Sequence, residues 1–386
     1  MEQWSDNFAV PEYYLKFRCK GDRCRHTCCG GLSVTISREE YFRLLSVEGS
    51  GNLRSDLDVS LDVLRDATPD RYAAIRPDYF GRCRMLDEQG WCRLQSECGF
   101  SALAAVCRYF PRSPGHRERP SCRMTNACEE TLELLLAGES TLPVSTPLSF
   151  ELAALPEPWP DPEEAAKREA LRNACRTLMR LPLPFAERLG RIHTLLHSPK
   201  AAERSGTGAE SGAFPEEDGI RRSVRDLLQT VTGARPELIA GVRRIIDWAG
   251  GEYASLRPYA VTASLLLAPP AQEAGTGSAD GRIDAGRLKR GLLEILTRFP
   301  DYPGFLTRVL VNEMDWQDFP FLPRNCPAKS ADRYLEILLI LLILMTVSNV
   351  DALSSEDDLV DLFAAVFRMA DLTNFPANAL ALCRDY

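Results

Sequence analysis

Thiols bind soft metals and carry redox chemistry, and ten of the thirteen cysteines of this chain fall between Cys19 and Cys128. The densest stretch, CKGDRCRHTCCGG (19–31), holds four of them in eleven positions, two of them adjacent. The full spacing is Cys19-x4-Cys24-x3-Cys28-Cys29, then Cys83-x8-Cys92-x5-Cys98-x8-Cys107, then Cys122-x5-Cys128. Such a pattern suits a disulfide knot, a zinc site, an iron–sulfur cluster or a set of reactive thiols.

Three observations narrow the choice. The N-terminus, MEQWSDNFAVPEYY, has neither a basic n-region nor an apolar h-region. A reducing, cytoplasmic setting is therefore expected, where structural disulfides are rare. No C-x-x-C redox pair is present. The C-x3-C-x2-C motif of radical S-adenosylmethionine chemistry is also missing, because Gly31 occupies its third position. Free cysteines often serve as small buried hydrophobes, but that role does not account for ten in about 110 positions with a vicinal pair. Metal or cluster binding remains. Four-thiolate zinc favours close C-x2–4-C pairs; Cys24 and Cys28 supply one, and no matching pair follows. Iron–sulfur clusters accept looser spacing, while ligand softness alone does not separate iron from zinc.

The cysteines must be positioned by a larger scaffold. At 386 residues the chain is long enough for two domains. Its 45% hydrophobic and 26% charged residues are ordinary globular values. The net charge of −8 argues against a general polyanion binder, so no nucleic-acid partner is expected. The longest apolar run, Ile337–Val347, falls short of the roughly 20 residues that span a bilayer; a buried core helix is expected instead.

The fold class expected is mainly α: an irregular cysteine-rich N-terminal domain with a few short strands, then an all-helical C-terminal domain. The first covers 1–138, a proline-rich connector 139–162, and the helical domain 163–386. In the first, residues 32–36 read as a strand, and Ser37 with Glu40 forms a capping box for a helix. Helices are also expected over 101–109, ended by Pro111, and over 129–137, closed by Gly138. In the second, Ile220, Val224, Leu227, Leu228 and Val231 share one helical face. So do Leu238, Ile239, Val242, Ile245, Ile246 and Ala249, with further helices around 286–298, 304–314, 331–348 and 356–370. Insertions at 205–219 and 268–281 contain G-x-G patterns but sit between no strand and helix, and read as flexible linkers.

Other side chains invite weaker readings. Asp87, Glu97, Glu129 and Glu130 are acid–base candidates, with solvation as the ordinary role. Arg108, Tyr109 and Arg112 flank Cys107, where packing is the ordinary role. His193 and His197 stand at i and i+4 in RIHTLLH, a zinc-compatible spacing without the Glu of H-E-x-x-H or an evident third ligand. His26 and His116 sit in cysteine-rich loops.

The segment YYLKFRCKGDRCRHTCCGG (13–31) resembles the opening of the flagellin lysine-N-methylases. GRCRMLDEQGWCRLQSECGFSALAAVCRYFPR (81–112) is similar to the second cysteine block of that family, and ACEETLELLLAGE (127–139) to the third. FLTRVLVNEMDWQDFP (305–320) is a weaker likeness, and the rest of the helical half matches mainly in hydrophobic pattern. The resemblance implies methyl transfer from S-adenosylmethionine to lysine side chains of flagellin, in a protein carrying an iron–sulfur cluster of the 4Fe-4S kind, with zinc as the alternative. The metal-binding positions it implies are Cys19, Cys24, Cys28, Cys29, Cys83, Cys92, Cys107 and Cys128. Cys98 and Cys122 are additional to the pattern. Gly31-Leu32 replaces the Gly-Trp of the family, and Cys128-Glu129-Glu130 replaces its Cys-Pro-Glu. A related group of zinc- or iron-chelating cysteine domains shares part of the pattern, which keeps a non-enzymatic metal module with a partner-binding helical domain as the competing expectation. No Gly-rich strand-to-helix turn offers a donor pocket, so an open iron on the cluster is one expectation for holding the amino-acid end of the donor. No catalytic residue is assigned by either reading.

Overall fold

A long polar-to-apolar strand and a partner more than a hundred residues away organise the N-terminal half. The computed structural model describes residues 2–30, 34–79, 81–152, 155–198, 219–267, 283–323, 325–327 and 329–383. Gly31 and Leu32, residues 205–218 and the whole of 268–281 lie outside them, so the linker expectations there lie outside the described residues. The chain divides into two units, Met1–Thr131 with Leu142–Ala165, and Leu132–Thr141 with Ala166–Tyr386. Among the described residues it is mostly helical, with a few strands in two small sheets.

In the first unit β1 (Glu2–Pro11) pairs antiparallel with β7 (Pro143–Leu152) from Glu2↔Leu152 to Pro11↔Pro143. Residues 143–152, expected as part of a connector, are thus a strand. Two of the prolines that suggested a connector lie in this strand, Pro143 at its end and Pro147 within it; among the described residues the strand is at the edge of its sheet, and an edge strand tolerates a missing N–H. The sheet order is β5 (Arg112–His116), β6 (Pro120–Met124), β1, β7, with β1 parallel to β6. Phe8, Val10 and Phe150 are buried, and the Phe8 and Phe150 rings meet edge-on at 5.1 Å. The outer half of β1 is polar, tied by Ser5 Oγ donating to Ser149 Oγ at 2.9 Å.

A three-stranded sheet, β2 (Val34–Ile36), β4 (Ala73–Ile75) and β3 (Leu61–Val63), carries a second core. It contains Ile36, Leu44, Leu53, Leu57, Ile75, Met85, Leu94 and Leu103. The expected capping box is present: Ser37 Oγ accepts from Glu40 N–H, and Glu40 accepts from Ser37 N–H at 2.9 Å, opening α1 (Arg38–Leu45). Glu40 has a second task, accepting Ala105 N–H at 2.7 Å at the start of the helix Ala105–Tyr109 that carries Cys107. Ser37→Ala should cost about 1 kcal/mol, the usual value of an N-cap, read as a lowered denaturation midpoint. The expected helix over 101–109 is broken into a 3-10 turn, Phe100–Ala102, and Ala105–Tyr109.

The helix Glu129–Leu136 ends as expected at Gly138, whose φ of 86° needs no Cβ clearance. Gly138 N–H bonds Leu135 O and Glu139 N–H bonds Leu134 O, a Schellman closure.

The regular elements among the described residues of the second unit are all helices. Gly219–Thr232 buries Val224, Leu227 and Val231, and Pro236–Glu252 buries all six of its expected apolar residues. Ala285–Arg298, Tyr302–Trp316, Ala331–Ser348 and Glu356–Asp371 fall where periodicity placed them. The apolar run 337–347 forms part of Ala331–Ser348, which is buried nearly all round, and no described helix is long and apolar enough to cross a membrane. Tyr334 Oη donates to the buried Glu313 at 2.5 Å, and Tyr302 Oη donates to Thr346 Oγ1 at 3.0 Å. These bonds satisfy polar atoms that burial would otherwise leave costly.

Candidate metal centre

Backbone contacts tie the cysteine-bearing loops of the first unit to one another. Cys83 and Cys92 pack against the Ile36–Leu44–Leu53 core, which fixes their backbone. Cys83 N–H donates to Cys29 O at 2.8 Å, and Gly30 bridges to Arg82, so the vicinal pair is laced to the second cysteine block. Leu86 bridges to Cys92 across a turn that Asp87 makes: its Oδ1 accepts Gln89 N–H at 2.9 Å and Trp91 N–H at 2.8 Å. Cys92 then starts the helix Arg93–Cys98.

Glu129 ties the third block to the first. Its carboxylate is buried, accepts Arg25 N–H at 3.2 Å and His26 N–H at 3.1 Å, and pairs with Lys20 Nζ at 2.7 Å. The loop 20–26 is thereby held on the helix start beside Cys128. Burial alone would raise the Glu129 pKa, but the hydrogen bonds from Lys20, His26 and Arg25 outweigh it and hold it below the usual value. The residue where the resembled family has proline is therefore a structural clamp, a role its sequence position does not announce.

The electrostatics of the thiols separates them into two sets. Burial first, and then Glu129, Cys128 and Cys19, push Cys24 up to about 12. Cys28 is raised by its hydrogen bond to Cys29 and by burial, and beyond the pair it feels Cys128 and Cys19. Cys128 is raised to about 11 by burial and also feels Cys19, while Thr131 and the amides at the helix start act against the shift. Cys24, Cys28 and Cys128 each feel Cys19, and Cys24 and Cys28 each feel Cys128, which makes these four the first set. Cys107 is raised far above its ordinary value by burial, then by Cys29, Cys83 and Cys92. Cys83 is raised to about 11 by burial and feels Cys29 and Cys92; Cys92, also raised by burial, feels Cys29. Cys29, Cys83, Cys92 and Cys107 form the second set. The two sets touch at the peptide bond between Cys28 and Cys29, where the Cys28 thiol donates and helps lower Cys29 to about 7.

Cys107 is exposed as a residue, although the protein around its thiol is dense enough to desolvate it. Cys28, Cys29 and Cys128 are likewise only partly covered while their thiols are strongly influenced by burial.

The remaining candidates divide differently. Cys98 donates to Glu48 O at 3.4 Å, and Cys122 is buried beside Tyr14 and Arg112; neither interacts with the two sets. Glu97 accepts Ser50 N–H at 2.8 Å, closing a loop. Arg108 is buried with its guanidinium on Glu151 at 2.8 Å, and the Tyr109 hydroxyl accepts Glu151 N–H at 2.7 Å. Arg112 lies over the Phe17 ring at 5.6 Å. These groups support the loops around Cys107 by packing. His116 stacks on Trp4 with ring centroids 6.1 Å apart.

No family model matches the chain, and no solved structure matches it. A lysine-N-methylase of Salmonella typhimurium strain LT2 is 26% identical over 137 residues, covering 35% of this chain and 34% of that protein. The similarity thus spans about a third of each.

Proposed function

We propose that the chain is a protein-lysine N-methyltransferase that moves methyl groups from S-adenosylmethionine to lysine side chains of flagellin. On this reading the N-terminal unit carries two four-iron clusters. Cys19, Cys24, Cys28 and Cys128 would hold one, and Cys29, Cys83, Cys92 and Cys107 the other. The observation that carries the proposal is the sorting of the eight family-matched cysteines into two sets of four, divided at the vicinal pair. The similarity to a lysine-N-methylase supports the methyl transfer.

The spacing of the sulfurs favours clusters over single zinc ions. Zinc–sulfur bonds of about 2.3 Å place tetrahedral sulfurs about 3.8 Å apart. Among the described residues, no three cysteine sulfurs lie within 4.8 Å of one another. A four-iron cluster holds its thiolates farther apart, at the corners of a larger body.

When bound, each cluster would supply electron-transfer capacity and neutralise four thiolates that burial makes costly. Four thiolates occupy all four irons of such a cluster. The expectation of an open iron holding the methyl donor therefore does not suit complete sets, and the donor must be held by other residues of the chain. Anaerobically purified protein incubated with flagellin and methyl-labelled S-adenosylmethionine should place label on flagellin lysines, identified by peptide mass spectrometry. Fully metallated protein that leaves the lysines unlabelled contradicts the methyltransferase reading.

A further inference from the structure

His193 and His197 acquire in the fold the third ligand that their sequence context lacks. Both lie near the end of the helix Phe185–His197, on one face, with ring centroids 4.4 Å apart. Asp332, in the first turn of Ala331–Ser348, reaches both: Oδ2 is 2.6 Å from His193 Nδ1, and both carboxylate oxygens are 3.2 Å from His197 Nε2. One ligand atom from each residue falls within 4.8 Å of the other two, the sole such trio of His, Cys, Asp or Glu among the described residues.

We propose that His193, His197 and Asp332 form a binding site for a zinc-class divalent cation, separate from the cysteine sets, with an open fourth position. Two imidazoles and a carboxylate suit zinc and its first-row neighbours, and three protein ligands leave a place for water or an exchangeable donor. Metal–ligand bonds of about 2.0–2.2 Å put tetrahedral donors about 3.3–3.6 Å apart. The 3.2 Å separations lie close to that spacing, and the 2.6 Å contact has to open by about 1 Å or less.

A cleft of about 280 Å³ adjoins the trio, lined by Gly190, Gln229, Thr230 and Glu336 as well as His193 and Asp332. It gives an incoming oxygen donor a route to the fourth position. A hydrogen-bonded trio without metal would share these contacts but would have no selective demand for a cation.

Cobalt separates the two, because its spectrum reports its ligands. Untagged full-length protein, its cysteine centres intact, is titrated with Co²⁺ beside His193→Gln, His197→Gln and the double variant. The wild type should take up one more equivalent than the double variant, with visible d–d absorption and no thiolate charge-transfer band. That equivalent should weaken by about 100-fold or more in the double variant. Unchanged metal in the cysteine centres and an unchanged circular dichroism spectrum show that each variant is folded; Asp332→Asn serves where a histidine variant is not. Equal uptake by the wild type and the folded variants, or an extra equivalent with a sulfur-to-cobalt band, overturns the site.

Discussion

Cys29→Ser should lose about half of the bound iron and keep the other half, and Cys28→Ser should do the same with the opposite half, if the two proposed four-iron clusters divide at the vicinal pair. The expectation follows from neighbours a peptide bond apart that face different partners. Cys29 lies among Cys83, Cys92 and Cys107, whereas Cys28 lies with Cys19 and Cys128. Serine oxygen is a poor substitute for thiolate on a soft metal, and each set has exactly enough thiolates for one cluster with none in reserve. Cys98→Ser and Cys122→Ser should leave the iron unchanged, since neither thiol interacts with either set. Iron analysis and electron paramagnetic resonance of the dithionite-reduced proteins would read the result. Loss of the same spectral species in Cys28→Ser and Cys29→Ser would put both residues on one centre.

Glu129→Ala should be the most damaging single change outside the cysteines. It removes the carboxylate that pairs with Lys20 and accepts the Arg25 and His26 amides, and opens a void where that carboxylate is now 1% exposed. Removing one member of a buried ion pair costs roughly 3–5 kcal/mol, and Lys20 is itself only 17% exposed. The same change frees the loop that brings Cys24 and Cys28 to Cys128, so the first set should lose its metal while the second keeps it. Glu129→Gln retains one acceptor oxygen and should show an intermediate loss. Thermal denaturation together with iron content checks both effects. An Ala variant of native stability with full iron would show that the clamp is dispensable.

The sequence made the helical half readable because its elements are governed by local rules. Leu238, Ile239, Val242, Ile245, Ile246 and Ala249 repeat on one face and are all buried. Ser37 and Glu40 sit three apart and close the box that this spacing permits. The strand Glu2–Pro11 was not readable. Ser5, Asp6 and Asn7 are poor strand formers, and what makes the segment extended is a partner beginning at Pro143. The resemblance picks out eight cysteines as metal positions, and the adjacency of Cys28 and Cys29 already argues that the two do not easily serve one small ion. Which other cysteines each would join is not legible in one dimension, because contacts such as the Cys83–Cys29 backbone bond belong to the tertiary structure. The same limit hid Asp332, which is 135 positions beyond His197. Glu129 read as a solvated acid because nothing local predicts that two backbone amides will turn toward it.

Iron and acid-labile sulfide, counted together in anaerobically purified wild-type protein, test the central claim most directly. Two complete cysteine sets of the four-iron kind predict about eight irons and about eight sulfides per chain. One or two zinc ions held by the cysteines, with no labile sulfide, would contradict it.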